Sequence, residues 1–123
     1  MKALQALAGP AYFLLRVVSG FLFACHGAQK LFGVLGGQQP PTASLPWFAG
    51  IIELVGGTMI AIGAYTSPVA FLASGEMAVA YFKAHAPQGF WPIRNGGELA
   101  ALYCFLFLYI STRGTGKWGV MRG

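Results

Sequence analysis

Residues 47–65 read WFAGIIELVGGTMIAIGAY, a run with a single charged side chain, Glu53. The run is apolar almost all round at the helical period, and it has the roughly 20 residues that a helix needs to cross a bilayer. A small soluble bundle has no means of covering such a helix on its outer faces. An ionised carboxylate in hydrocarbon costs on the order of several kcal/mol unless it is paired, so Glu53 demands a partner on another helix or a task.

Outward from this run, three similar stretches appear, each bounded by turn chemistry. The first spans about 11–32, after Gly9-Pro10 and before Gly33. Loop 34–46 (VLGGQQPPTASLP) is uncharged and dense in helix breakers. Thr66-Ser67-Pro68 predicts a tight hairpin into a third stretch, about 68–86. A loop with the aromatic pair Phe90-Trp91 leads to the last stretch, about 95–111, and a Gly-rich basic tail follows that should lie at the membrane surface. The expectation is one all-α domain over 1–123, an antiparallel four-helix transmembrane bundle with helices near 11–32, 47–65, 68–86 and 95–111. A cleaved leader is the rival reading of the first stretch, but Arg16 interrupts its apolar region.

Composition agrees: 56% of residues are hydrophobic and 9% charged, where a soluble domain carries about a quarter charged residues. The net charge of +5 comes from scattered basic residues that form no basic face, which argues against a nucleic-acid partner. Four spans leave no room for a soluble catalytic domain, so any chemistry lies in the membrane or on a partner. Both termini share one side, with Lys2, Arg113, Lys117 and Arg122, against Lys30, Lys83 and Arg94 near the other. The basic-residue rule therefore places the termini in the cytoplasm, with loops 33–46 and 87–94 outside an inner membrane.

The chain has only three acidic residues, Glu53, Glu76 and Glu98, all within or at the mouth of an apolar stretch. Arg16 lies roughly 9 Å below the cytoplasmic face, and mid-membrane Glu76 is its expected ion-pair partner, a protonated Glu76 being the other inexpensive solution. His26, Lys30, Glu53, Lys83, His85, Arg94 and Glu98 gather in the outer half. Helical spacing draws one stripe through Arg16, Gly20, Phe23, Gly27 and Lys30, and a second through Glu53, Gly56, Gly57, Ile60 and Ala64. A third holds Ala73, Glu76, Ala80 and Lys83, and a fourth Glu98, Ala101 and Phe105. Small residues on these stripes allow close helix contact, so a central polar pocket opening outward is expected.

Arg16 with Gly20-Phe-Leu-Phe23, the block His26-Gly-Ala-Gln-Lys-Leu-Phe-Gly33, and Ile52-Glu-Leu-Val-Gly-Gly57 follow in this order. Gly89-Phe90, Gly97-Glu-Leu-Ala100 and Gly114-Thr-Gly116 complete the series. In this order of pieces the chain resembles the DoxX family of small four-span membrane proteins along nearly its whole length. The resemblance implies a membrane subunit of a redox system. Relatives of that kind include a thiosulfate:quinone oxidoreductase, others that accompany oxidative-stress proteins, and others without an assigned role.

A quinone head group needs donors to its two carbonyl oxygens, and quinol oxidation needs a base with an exit to water. His26 and Lys30 are the candidate donors, Glu53 and Glu98 the candidate proton acceptors, and Phe23, Trp47, Phe90, Trp91 and Tyr103 the candidate walls. Lys83, His85 and Arg94 are secondary candidates. The same polar groups also serve as interhelical glue, a purely structural role. Two isolated histidines without ExxH or HxxxH spacing give a poor metal or haem signal. Cys25 and Cys104, with no CxxC, read as packing residues. The expected partners are lipid and either further subunits of a membrane complex or further copies of the chain, with catalysis dependent on a partner. Two other readings stand beside this one, a non-catalytic accessory subunit of a respiratory complex and a small proton or anion transporter, though no broken helix or clear inverted repeat supports transport.

Overall fold

The computed structural model describes residues 1–123 as an all-helical chain. A short α1 (Lys2–Gln5) precedes α2 (Ala8–Phe32), α3 (Leu45–Ile62) and α4 (Thr66–Ala80), then a short α5 (Pro92–Asn95) and finally α6 (Glu98–Arg113). The four long helices form the bundle. At 1.5 Å per residue, α2 is roughly 37 Å long and α3 roughly 27 Å, and these two are long and apolar enough to cross a membrane. Leu14, Phe21, Val55, Phe71, Leu102 and Phe105 are exposed on the outer surface of the bundle, the distribution expected where hydrocarbon is the solvent.

Local chemistry sets the helix ends. Gly33 ends α2 and Gly63 ends α3, both in the left-handed region that favours glycine. Ser44 caps α3, its hydroxyl accepting from the Trp47 amide at 3.4 Å, so the helix starts two residues before Trp47. The hairpin between α3 and α4 is Gly63–Tyr65, and Thr66-Ser67-Pro68 forms the first turn of α4. Past Ala80 the helix continues as a wide π turn over Tyr81–His85 and a 3-10 turn over Ala86–Gln88, in place of the regular helix expected to Ala86.

The bundle is two tight pairs, α2 with α3 and α4 with α6, joined by a thinner α3–α4 seam. Glycine makes the first pair close. A Cβ on Gly20 would stand 2.6 Å from the Gly57 carbonyl, and one on Gly57 would stand 2.6 Å from the Gly20 carbonyl, so neither position admits a side chain. The second pair buries Ala70, Ala73 and Met77 against Tyr103, Phe107 and Ile110, and Ser74 Oγ donates to the Cys104 carbonyl at 2.7 Å. Phe23 bridges the pairs, its ring 4.7 Å from Phe107 and 5.6 Å from Tyr103.

The α2 and α3 stripes are as expected, but the stripe assigned to the last helix is not. Its buried face is Ala100, Tyr103, Phe107 and Ile110, whereas Glu98 and Phe105 point outward. Being apolar all round, α6 offers no periodicity to mark its inner face.

The expected Arg16–Glu76 pair does not form. Arg16 is 0% exposed, lies over the Phe13 ring and donates its hydrogen bonds only to backbone carbonyls. Its Nε donates to Ile60 at 3.0 Å and one Nη to Ala61 at 3.4 Å, in the last turn of α3, where free carbonyls and the helix dipole favour a cation. The Nη groups also donate to Thr115 at 2.5 Å, Lys117 at 3.3 Å and Trp118 at 3.1 Å. The C-terminal tail thus folds back across the bundle end. Thr115 Oγ1 donates to Thr66 Oγ1 at 2.8 Å, and the amides of Val120 and Met121 donate to the carbonyls of Ile62 and Gly63.

Candidate functional site

The end opposite the tail holds the polar cluster. Lys30, in the last turn of α2, reaches across to α3 and donates from Nζ to Glu53 Oε2 at 2.6 Å. The glycine seam sets that reach, because Gly27 and Gly50 let the two backbones approach one turn away. Glu53 is 1% exposed, whereas the Lys30 side chain keeps 34% of its surface and so lies at the rim. The second oxygen of Glu53, Oε1, is buried without a hydrogen-bond partner. An unpartnered carboxylate oxygen is the kind of group that native interiors rarely leave, and it calls for a ligand or a proton.

Glu53 forms the wall of a cavity of about 270 Å³. Phe23, His26 and Lys30 of α2, Tyr103 of α6 and His85 of the π turn line it as well. Three of the four principal sequence candidates, His26, Lys30 and Glu53, therefore converge. The cavity joins an apolar wall, including Phe23, Met77 and Tyr103, to the donors and acceptors of His26, Lys30, Glu53 and His85. His26 meets the Tyr103 ring edge-on at 6.3 Å, and Tyr103 stacks on Phe107 at 5.3 Å.

The π turn brings His85 into this group, since the extra residue per turn rotates it toward α6, a use to which such turns are often put. His85 Nδ1 lies 3.2 Å from the carbonyl of Asn95, an acceptor only, so the proton resides on Nδ1 and the neutral ring keeps Nε2 as its acceptor. Asn95 is a residue that sequence reasoning passed over. It is buried, donates from Nδ2 to Tyr81 Oη at 3.2 Å and to the Gly89 carbonyl at 2.9 Å, and accepts from the Gly97 amide at 2.8 Å. This one amide ties the π turn, the 86–91 loop and the start of α6 together. Asn95 directly before Gly96, which is left-handed at φ 76°, was the available signal.

Glu98 departs from expectation. It is exposed at the first turn of α6, beside Leu99 and Leu102, and does not reach the cavity. Arg94 and Lys83 are exposed too, and of the proposed aromatic walls Phe90 and Trp91 stand in the open. Trp47 packs on Phe48, outside the cavity.

Glu76 belongs to this end of the bundle. It lines a second cavity, of about 400 Å³, in the α3–α4 seam with Phe48, Ile52 and Val79, and Lys30 and Lys83 border it. Both Glu76 oxygens are buried without a hydrogen-bond partner. Lys30 borders both cavities, and Glu76 is within electrostatic range of Glu53 and Lys30. Two carboxyls thus share one ammonium. No three His, Cys, Asp or Glu side chains cluster as metal ligands, and Cys25 and Cys104 are free thiols.

The family model for DoxX matches residues 11–86, which hold Arg16, His26, Lys30, Glu53, Glu76 and His85. An uncharacterized protein of Haemophilus influenzae is 43% identical over 114 residues, covering 85% of each chain. No solved structure matches the chain.

Proposed function

The chain belongs to the DoxX family of membrane proteins, and from that footing we propose that it is a redox subunit that holds a quinone or quinol head group beside Glu53. The observation that supports this reading most directly is the Glu53 carboxylate, fully buried with one oxygen on Lys30 and the other without a hydrogen-bond donor, at the wall of a cavity that also holds two histidines and two aromatic rings. A quinone is flat and lipid-soluble and presents two acceptor oxygens, for which His26 and Lys30 are the donors and Phe23 and Tyr103 the walls. In the quinol direction, two protons pass to Glu53 and the histidines and leave by the Lys30 rim, while two electrons go to a partner redox protein. The reverse direction takes two electrons from that partner and two protons from the same groups. The partner supplies the electron chemistry, so this chain alone is not an enzyme in this proposal. In this proposal the membrane is a bacterial or archaeal inner membrane with both termini in the cytoplasm, so the cavity lies toward the outer side.

Protein purified in mild detergent is expected to retain quinone, read by extraction and absorbance, and Glu53→Gln or His26→Ala is expected to reduce retention at least about tenfold, the equivalent of roughly 1.4 kcal/mol. Retention equal to wild type in both variants would end the proposal.

A further inference from the structure

The tail that Arg16 gathers has a second face. Arg16 draws the carbonyls of Thr115, Lys117 and Trp118 toward itself, and every peptide bond is trans. In a trans peptide unit the N–H points opposite to the C=O. The N–H groups of Gly116, Trp118 and Gly119, which complete those three units, are therefore turned away from the guanidinium, and none of them donates a hydrogen bond within the protein. Gly116 and Trp118 take positive φ of 72° and 56°, and such alternation along a loop curls successive amides toward an anion-binding concavity.

That concavity exists. A depression of about 630 Å³ is walled by the tail itself, and Arg16 is not among its walls. Arg113, Lys117 and Arg122 stand around it, and the Arg113 guanidinium is held over the rings of Tyr12 and Tyr109 at 5.5 and 5.9 Å. No acidic residue lies at this end, since Glu53, Glu76 and Glu98 sit on the far halves of their helices or beyond. Three cationic side chains border the depression and no acidic side chain does, while the Gly123 carbonyl oxygen at its wall accepts from the Ser67 amide at 2.7 Å.

We propose that this tail is a binding site for the phosphate of an anionic phospholipid. Arg and outward amides suit phosphate oxygens. The choice of a lipid over free phosphate rests on the apolar side chains beside the cations: Trp118 is 60% and Val120 70% exposed, as suits residues that reach toward acyl chains while the cations stay with the headgroups. The site is independent of the cavity at Glu53.

The test is native mass spectrometry of the full chain in detergent, titrated with phosphatidylglycerol and phosphatidylcholine. At least a tenfold preference for phosphatidylglycerol is expected, brought close to parity in the Lys117→Gln/Arg122→Gln double variant and kept in Lys117→Arg/Arg122→Lys. Each single Gln variant should lower the preference about threefold, which keeps the test informative if the double variant misfolds. Equal retention of the two lipids in wild type, an unchanged preference in the Gln variants, or displacement of phosphatidylglycerol by millimolar inorganic phosphate would each overturn the proposal, the last by making a soluble anion the ligand.

Discussion

At one end of the bundle a buried guanidinium is surrounded by five carbonyl oxygens, and at the other three buried carboxyl oxygens find no donor. Both ends place ionisable groups where hydrocarbon surrounds the protein, and both draw on helix ends and loops for partners. At the tail end the Arg16 guanidinium is satisfied by the chain itself, so that charge needs no further partner once the protein folds, and only the outward face of the tail stays open. The end at Glu53 and Glu76 has two carboxyls, one ammonium and two cavities, and it is completed only by a proton or a ligand. The difference separates architecture from function: satisfied charge fixes the helix order, while unsatisfied charge marks the place where something binds.

Breaking the satisfied end should have the largest effect. Arg16→Met removes several charge-assisted hydrogen bonds of about 1.5–3 kcal/mol each and strands the carbonyls of Ile60, Thr115 and Trp118. A loss of at least about 3 kcal/mol is expected in denaturant unfolding in detergent, with the tail released to proteolysis between Gly114 and Gly123. Wild-type stability in this variant would show that the tail is held by other contacts. A carboxylate partner for Arg16 would instead be revealed if Glu76→Gln caused the same loss.

The open end should respond with the opposite sign. Glu76→Leu replaces two unpartnered oxygens by methyl groups that match Phe48, Ile52 and Val79 around the same cavity. Stability is expected to hold or rise by about 1–2 kcal/mol, because a buried polar group without a partner costs that much or more. A fall of more than about 1 kcal/mol would mean that Glu76 has a partner in the folded state and that the two ends are less different than the hydrogen bonds indicate. Such stability gains at unsatisfied positions commonly accompany loss of function.

The contrast was half legible in the residues. Gly-Pro punctuation and apolar run length place the four long helices, and the spacing of Arg16, Gly20, Phe23 and Gly27 gives the buried face of α2 because polar and small residues mark one side of it. The same method fails on α6, where every face is largely apolar and Glu98 is the only acidic landmark, so the stripe runs through an outward side. Arg16 was assigned to a carboxylate since side chains are what a sequence displays. Its true partners are backbone carbonyls contributed by a tail about 100 positions away, which no periodicity encodes. Asn95 was missed for a related reason: its partners, Tyr81, Gly89 and Gly97, come together only after the π turn has formed. His26, Lys30 and Glu53 were found because ionisable groups in apolar runs are conspicuous whatever their partners.

The smallest effect expected belongs to a residue that lies at neither end's centre. Glu98 is a carboxylate at the loop end of the bundle, as Glu53 is, but it projects into the open at the first turn of α6. Its interaction there is with the helix dipole, worth about 0.3–1 kcal/mol at exposed positions, and it contributes no wall to the cavity at Glu53. Glu98→Gln should therefore lower stability by no more than a few tenths of a kcal/mol, roughly the lower part of that range, and should leave quinone retention at the wild-type level. Paired with Glu53→Gln, this substitution separates charge on the exposed loop end from charge inside the cavity, since both remove one acid from the same half of the protein. If Glu98→Gln reduced retention as strongly as Glu53→Gln, the relevant quantity would be the field of the whole loop end, and burial would cease to be the criterion that distinguishes a binding carboxylate from a bystander.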